Sequence, residues 1–500
     1  MKLFKRYKLE ILAFIPFVFV YFLTRLYNIT SLPLFTDEAI YTRWSQIARY
    51  DAAWRFISLT DGKQPSFVWL DMLFMKLIND PLLAGRLVSV FAGLLGLVGI
   101  YFLGSELFKN RKIGVISSFL YLIFPYSLVY DRMALYDSLV AAISIWALYF
   151  EILLIRKKRL DLALILGMVL GAGVLTKSSA FFSIYLMPFL LLIYNFKDKK
   201  WRESLFKTAI LFGVSIIFAY GYYSLLRLSP FYHIINEKNG IFVYSFSEWK
   251  DHPLRFFQGN LSGLFNWLYV YSTIPTVILM FGAFLVGGLK QLKEKALLFV
   301  WFFLTFAALA LFGKVLYPRF ILFMMMPLLV MAAFTINLLL GKIKNVPAKV
   351  FTLFILTFLM LRSDYMIITN FARAPIPFSD KEQYINGWPA GGGVREIVSL
   401  VDNESKKGKV YVATEGTFGS LPTYAMEIYL GDNRNVEKRG IWPVPDKIPS
   451  DLQEKAAKMP VYFIFNQTQT PPLGWPITLV NKYQKGVSNS YMSVYKVLPK

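Results

Sequence analysis

Cysteine is absent from this 500-residue sequence, and histidine occurs only twice. The lack of thiols excludes disulfides, thiolate metal sites and a cysteine nucleophile, and it leaves the redox compartment undetermined. Acidic residues are also few: 31 Asp and Glu stand against 54 Lys and Arg, for a formal net charge of +23. That excess could indicate a nucleic-acid partner, but such proteins gather their basic residues on one folded surface.

Apolar residues, in contrast, make up 56% of the chain, and its mean hydropathy is +0.48, more than a soluble core needs. We therefore predict a polytopic α-helical membrane protein with about eleven crossings of about 20 apolar residues each. The first run has no small-residue cleavage site and is predicted to be retained. The predicted spans are 9–27, 82–106, 113–130, 138–155, 160–176, 179–196, 205–227, 266–288, 296–313, 320–340 and 349–368.

Basic clusters separate the spans, and each follows an even number of them. By the positive-inside rule this pattern predicts a cytoplasmic N-terminus and an extracytoplasmic C-terminus, and it explains the net charge without nucleic acid. The clusters are Lys2/Lys5/Arg6/Lys8, Lys109/Arg111/Lys112, Arg156 to Arg159, Lys197/Lys199/Lys200/Arg202/Lys207, Lys290/Lys293/Lys295 and Lys342/Lys344/Lys349.

Two further regions have a distinct composition. The first outer loop, about 28–81, places Tyr41, Trp44, Ile47 and Ala48 at helical spacing, which predicts an amphipathic helix in the membrane interface. From about residue 371 the composition becomes soluble-like, with one helical and three strand patterns. We therefore predict a transmembrane catalytic domain at 1–370 and a small extracytoplasmic α/β domain at 371–500. The segment "AGGGVRE" fits a glycine turn before a helix better than a phosphate loop.

Acidic residues near span ends are the first candidates for chemistry. They fall on the predicted outer face, where they are either solvated loop acids or members of a site at the bilayer surface. These acids lie in two aromatic-rich loops and are Asp37, Glu38, Asp131 and Asp137. Arg132 and Tyr136 are four residues apart, hence on one helical face, and Tyr136 directly precedes Asp137.

Cations on the outer face run against the positive-inside trend. They are candidates for binding an anion, although snorkelling of a long side chain to the interface is an alternative account. These cations, with a neighbouring tyrosine, are Lys63, Lys177, Lys314, Tyr317 and Arg319.

A carboxylate base combined with phosphate-binding cations suits transfer of a group from a lipid phosphate. Phosphate leaves as a stable anion, so one general base on the attacking hydroxyl suffices. Lys and Arg would stabilise the charge that grows on the leaving phosphate.

Five segments, in order, resemble the C-type membrane glycosyltransferases of the protein O-mannosyltransferase and lipid A aminoarabinose transferase superfamily, in particular its prokaryotic members. They are "LPLFTDEAIYTRW", "GKQPSFVWLDMLFMKL", "AGRLVSVFAGLLGLVGIYFLGSELF", "YDRMALYDSLVAA" and "GAGVLTKSSAFF". The resemblance covers about residues 9–195, and "GKVLYPRFILFMMMP" matches more loosely. Together, the order and spacing of these segments are specific, whereas each alone is not.

The resemblance implies roles for individual residues. It places the proposed catalytic base on Asp37 with Glu38 beside it, the acid that opens the fourth helix on Asp137, and donor-phosphate contacts on Lys63 and Lys177. Relatives often have a basic residue followed by Tyr before a Leu-Pro run. Here Phe320 follows Arg319, so Tyr317 is the candidate substitute. Relatives also often have paired prolines after the first-loop cation, where this chain has Lys63-Gln64-Pro65.

The resemblance thus implies an inverting glycosyltransferase that moves a sugar from a polyprenyl-phosphate donor to an extracytoplasmic hydroxyl on protein, lipid or glycan. The alternative is a transporter or flippase of lipid-linked sugars, but no internal repeat of the acidic loop is present. The sequence leaves open the sugar, the acceptor and a divalent cation held by Asp37 and Asp137. His233 and His252 in the third outer loop are predicted to be surface residues and not metal ligands.

Overall fold

The structure is a computed structural model that describes residues 2–417 and 419–500, with side chains from Phe14 onward. The basic N-terminal cluster lies outside the described side chains. The chain divides into two compact units. The first contains the chain up to Tyr27, Arg55–Leu70 and Arg86–Pro377, and the second contains Asn28–Trp54, Asp71–Gly85 and Phe378–Lys500.

The part of the chain before Phe378 is almost wholly helical. Its α-helices are α1 (Lys2–Leu26), α2 (Thr36–Tyr50), α3 (Ser66–Phe74), α4 (Pro81–Phe108), α5 (Arg111–Leu122), α6 (Pro125–Tyr130), α7 (Asp137–Lys157), α8 (Leu160–Val174), α9 (Phe181–Tyr185), α10 (Trp201–Ser224), α11 (Ile234–Phe242), α12 (Phe246–Asp251), α13 (Phe257–Ser272), α14 (Ile274–Gly287), α15 (Leu292–Phe312), α16 (Leu322–Gly341) and α17 (Val346–Thr369).

Six helices among the described residues are long and apolar enough to cross a membrane, and a bent pair makes seven. They are Pro81–Phe108, Asp137–Lys157, Trp201–Leu228, Leu292–Phe312, Pro318–Gly341 and Val346–Thr369, with α13 and α14 as the bent pair. This agrees with a multi-pass membrane protein. The predicted spans 113–130, 160–176 and 179–196 fall on shorter helices. The span 9–27 falls on α1, whose side chains are described only from Phe14 onward. The count of eleven crossings therefore stays a prediction.

Local sequence explains why several predicted spans are broken. The predicted span 113–130 divides into α5 and α6 because Pro125 cannot continue the preceding helix and starts a new one. The predicted span 266–288 bends by 104° between α13 and α14. Thr273 adopts a positive φ of 66° at that bend, and Pro275 follows in the first turn of α14.

The C-terminal unit contains a five-stranded sheet in the order β2-β1-β3-β5-β4. Strands β1 to β3 are parallel, and β5 and β4 continue the sheet as antiparallel strands. The elements are α18 (Phe378–Lys381), α19 (Val394–Ser405), β1 (Val410–Glu415), α20 (Leu421–Leu430), β2 (Val436–Ile441), α21 (Ser450–Ala456), β3 (Val461–Phe465), β4 (Ile477–Gln484) and β5 (Tyr491–Val497). This confirms the predicted α/β domain.

The predicted amphipathic helix of the first outer loop is present as α2. Its buried residues include Tyr41, Trp44 and Ala48. Helix α2 packs on α20 of the same unit, and the Arg43 Nε lies 2.7 Å from Glu427 Oε2. Part of the helix expected to lie in the membrane interface is therefore covered by α20. The sequence showed the amphipathic period, but it could not show which apolar surface would cover it.

Candidate active site

The acidic pair lies in the first turn of α2, and its two carboxylates differ in burial. Glu38 is 0% exposed, and its Oε2 accepts a hydrogen bond of 3.1 Å from the Phe35 backbone N–H. This bond caps a helix end whose amides would otherwise lack partners. Asp37 is half-buried. Of the predicted pair, Glu38 therefore helps to hold the start of the helix, and Asp37 is the more accessible carboxylate.

The loop that precedes α7 is fixed by a buried ion pair. The Arg25 Nε lies 3.5 Å from Asp131 Oδ2, and both side chains are fully buried. Ser138 donates a hydrogen bond of 2.8 Å to Asp131 Oδ1. Because Ser138 is the second residue of α7, this contact positions the start of that helix, where Asp137 stands.

Arg132 and Tyr136, the two predicted supporting residues, also hold the loop before α7 in place. Arg132 donates hydrogen bonds of 3.0 and 2.9 Å to the carbonyl oxygens of Thr24 and Tyr27, at the end of α1. The ring of Tyr136 is buried and packs on Phe67, with 5.1 Å between ring centroids. These contacts position the backbone around Asp137.

Asp137 and Lys177 form the central ion pair of the first unit. Lys177 Nζ donates to Asp137 Oδ1 at 2.7 Å, and the carboxylate is nearly buried. Lys177 follows the end of α8 in an extended conformation. Two hydrogen bonds tie its segment to the first loop: Ser66 N–H to Leu175 O at 3.1 Å and Gln64 Nε2 to Ser178 Oγ at 2.9 Å.

Lys177 is electrostatically coupled to the other predicted phosphate-binding cations. Burial lowers the pKa of its ammonium, Asp137 opposes that shift, and the positive charges of Arg319 and Lys63 lower the pKa further. The three cations therefore share one electrostatic environment, in which a bound anion would relieve their repulsion.

This shift predicts a pH dependence of anion binding. Lys177 is charged at pH values below its pKa and loses its proton as the pH rises through that pKa. Because the pKa is lowered, this loss occurs at a lower pH than for an ordinary lysine. We expect the affinity for polyprenyl phosphate to begin falling at a lower pH in the wild type than in Lys177→Arg, whose guanidinium stays charged. Titration of binding from neutral to alkaline pH measures this, and superimposable profiles would contradict it.

Arg319 is held by aromatic side chains. It is mostly buried, and its guanidinium carbon lies 4.8 Å from the ring centroid of Tyr317 and 5.8 Å from that of Phe320. The Lys177 ammonium also lies near the Phe320 ring, 4.6 Å from its centroid. The ring of Tyr317 therefore packs against the Arg319 guanidinium, and its role as a substitute for the tyrosine missing at position 320 stays a prediction.

Lys63 belongs to a three-residue bridge that sequence reasoning missed in part. Its Nζ lies 3.3 Å from Asp61 Oδ2, and Lys238 of α11 lies 2.5 Å from Asp61 Oδ1. Gly62 between them has a φ of 64°, and a Cβ there would meet the Lys238 Cβ at 2.5 Å. Only glycine allows this close approach. Asp61, Gly62 and Lys63 are adjacent in the sequence, so their proximity could be predicted. Nothing in the sequence indicated that the distant Lys238 pairs with Asp61.

Lys314 is paired with an acid of α12. Its Nζ lies 2.8 Å from Glu248 Oε1 and donates to Gly240 O at 2.9 Å. The hydrogen bond from this ammonium is the largest of the causes that lower the pKa of Glu248 to about 2. Lys314 thus has an ion-pair partner of its own, as Lys63 and Lys177 do.

A small apolar cavity of about 10 Å³ lies between helices of the first unit. Ser144 of α7, Phe182, Leu186, Trp301 and Phe323 are among its lining residues. None of the charged residues Asp137, Lys177 and Arg319 lines it.

Metal ligation has little support from the described residues. No group of three or more His, Asp or Glu side chains among them could hold a metal ion. His233 is exposed, and its Nδ1 lies 3.0 Å from Pro230 O. Asp37 and Asp137 belong to the second and first unit, respectively.

The fold defines a class of membrane protein. The structure is similar to the crystal structure of ArnT from Cupriavidus metallidurans bound to undecaprenyl phosphate, with a TM-score of 0.56 and 13% identity over 99% of this chain and 100% of that one. It is also similar to the archaeal oligosaccharyltransferase AglB from Archaeoglobus fulgidus, solved with an inhibitory peptide and a dolichol-phosphate. That match has a TM-score of 0.55 and 13% identity over 92% of this chain and 70% of that one. The chain therefore has the C-type glycosyltransferase fold.

The sequence comparison covers a smaller part of the chain than the structural comparison does, and it agrees with the fold. Residues 62–223 match the family model described as dolichyl-phosphate-mannose-protein mannosyltransferase. No curated protein sequence gives a significant match. The family model and the fold together confirm the resemblance to the protein O-mannosyltransferase and ArnT superfamily of glycosyltransferases.

Proposed function

We propose that this protein is an inverting glycosyltransferase that moves a sugar from a polyprenyl-phosphate donor to a hydroxyl group on protein, lipid or glycan at the extracytoplasmic face. The observation that carries the proposal is that Lys177 and Arg319 lie near the same Phe320 ring, 4.6 and 5.8 Å from its centroid, with the charge of Lys63 also acting on Lys177. A cluster of cations suits a phosphate. A phosphate that carries an isoprenoid chain also suits a protein with several helices long and apolar enough to cross a membrane.

Asp37 acts as the general base in this proposal. It takes the proton of the acceptor hydroxyl while the acceptor oxygen bonds to the anomeric carbon. The bond between that carbon and the phosphate oxygen breaks, and the electron pair leaves with polyprenyl phosphate. One displacement from the opposite face inverts the anomeric configuration.

Lys63 and Arg319 stabilise the negative charge that accumulates on the leaving phosphate. Lys177 adds a third positive charge, and Asp137 holds its ammonium in place at 2.7 Å. The relatives support the donor class, because ArnT was solved with undecaprenyl phosphate and AglB with dolichol-phosphate. The reaction needs no metal in this scheme, and a divalent cation at the acids stays an open alternative.

We also propose that the C-terminal domain lies outside the cytoplasm, on the same side as Asp37. The basic clusters between the spans support this orientation. A reporter fused after Lys500 should be active in the outer compartment, and a fusion within the 197–207 cluster should be active in the cytoplasm. A cytoplasmic signal from the first fusion would contradict the proposed orientation.

A further inference from the structure

Three tryptophans of the C-terminal unit, Trp388, Trp442 and Trp475, have different environments. Trp475 is 7% exposed, packs on Phe463 and Phe465, and donates from its indole N–H to Asp446 O. It belongs to the core. Trp388 and Trp442, in contrast, are 49% and 57% exposed. Two large aromatic side chains of this domain are therefore presented to the surface.

Both exposed tryptophans lie at the carboxyl edge of the parallel strands. Trp442 directly follows Ile441, the last residue of β2, whose carbonyl accepts from Gly416 N–H at 2.9 Å. The Trp388 carbonyl accepts a hydrogen bond of 3.0 Å from Asn466 Nδ2, just after β3. The two positions therefore flank the end of β1, across two strand spacings or about 10 Å.

This edge is also where the sheet topology changes direction. From β1 the chain crosses through α20 to β2 on one side, whereas β3 pairs with the other side of β1. Open α/β sheets bind ligands outside the carboxyl ends of their strands at such a point. The topology thus identifies the same edge as the exposed tryptophans do.

Two charged side chains near this edge are buried and satisfied by hydrogen bonds within the domain. The Glu415 carboxylate accepts hydrogen bonds of 2.7 to 3.0 Å from the backbone N–H groups of Asn466, Gln467 and Thr468. The Lys485 ammonium donates to Trp388 O at 3.1 Å, to Gly387 O and to Asn466 Oδ1. Because both side chains are buried, neither is presented at the surface to an ionic ligand such as a nucleotide.

What the edge exposes is neutral and polar. Thr417 and Gln467 have exposed side chains, and each can donate and accept hydrogen bonds. An indole presents an apolar face together with a polar N–H. A carbohydrate needs this combination, because its C–H faces pack on aromatic rings while its hydroxyls bond to amides and hydroxyls.

We propose that the carboxyl edge of the β2-β1-β3 sheet, with Trp388 and Trp442 as its aromatic platform, binds a neutral oligosaccharide. Binding itself does not depend on the proposed transferase activity. The further step, that this oligosaccharide belongs to the acceptor, rests on that proposed function. In that step the edge binds the glycan part of the acceptor and so holds the acceptor on the enzyme, but the edge contributes no reacting group.

The test uses the full-length protein in lipid nanodiscs free of glycoside detergent, which would compete for the site. Isothermal titration with tetrasaccharides of mannose, glucose and N-acetylglucosamine should detect binding of at least one. Trp388→Ala and Trp442→Ala should each weaken that binding by at least tenfold. The control Trp54→Ala, also an exposed tryptophan of this unit, should leave it unchanged.

Three results would overturn the proposal. The first is that no tetrasaccharide binds the wild type, and the second is that both edge variants bind as well as Trp54→Ala. The third concerns the bilayer, since interfacial tryptophans also anchor proteins to lipid. If bromine-labelled lipids quench tryptophan emission less in Trp388→Phe and Trp442→Phe than in wild type, the two indoles contact lipid. Intact polyprenyl-phosphate binding in the edge variants separates these outcomes from failure of the proposed transferase activity.

Discussion

Asp37→Asn should lower turnover by a factor on the order of 10² or more while folding and donor binding persist. The amide has nearly the same shape as the carboxylate but cannot accept the acceptor's proton at neutral pH. Position 37 lies in the first turn of α2, where Glu38 provides the capping contact to Phe35. The variant therefore changes the base and leaves the cap in place.

Asp51→Asn is the matched control, because Asp51 is an exposed aspartate at the other end of α2. Steady-state turnover of purified variants, with binding of polyprenyl phosphate measured alongside, compares the two. Wild-type turnover in Asp37→Asn would exclude Asp37 as the base. Equal losses in both variants would point to the stability of α2 and not to proton transfer.

Neutralising Lys63 or Arg319 should impair both donor binding and the chemical step. Hydrogen bonds to a charged group are worth about 1.5–3 kcal/mol, so each alanine variant should lose roughly tenfold to a hundredfold in donor affinity. Turnover should fall as well, because the phosphate gains negative charge in the transition state. Arg319→Lys should recover part of the affinity, since it keeps the charge but loses the planar contact with Tyr317.

Lys109→Ala is the control for these variants, since Lys109 is an exposed lysine of a predicted inner loop that pairs with Glu106. Equilibrium binding of polyprenyl phosphate and single-turnover rates separate affinity from chemistry. Unchanged affinity in both Lys63→Ala and Arg319→Ala would refute the phosphate assignment. A loss confined to the rate would mean that these cations act only in the transition state.

Apolar runs and period-two patterns predicted much of the architecture. Strands β1, β3 and β5 were predictable because their segments are rich in Val, Ile, Phe and Tyr. Strand β2 was not, since "VEKRGI" carries three charged residues on a strand at the edge of the sheet. Breaks within spans depended on local events such as Pro125 and the positive φ of Thr273.

The candidate site was predictable only where residues are close in sequence or match a family pattern. Lys63, Lys177 and Arg319 were proposed to act together, and their electrostatic coupling agrees with that hypothesis. The bridge from Asp61 to Lys238 joins residues 177 positions apart, and no sequence period reports such a contact. The same limit applies to the buried Arg25–Asp131 pair, which resembles ordinary loop charges until the fold is known.

Incubation of the purified protein with radiolabelled polyprenyl-phosphate sugars, with and without a chelator, tests the proposed reaction directly. The account predicts that one such donor is consumed, that polyprenyl phosphate is released, and that the sugar appears on a hydroxyl acceptor with inverted anomeric configuration. Consumption should be lost in Asp37→Asn and retained in Asp51→Asn. Movement of an intact lipid-linked sugar across the membrane without cleavage of its phosphate bond would contradict the account and identify a transporter.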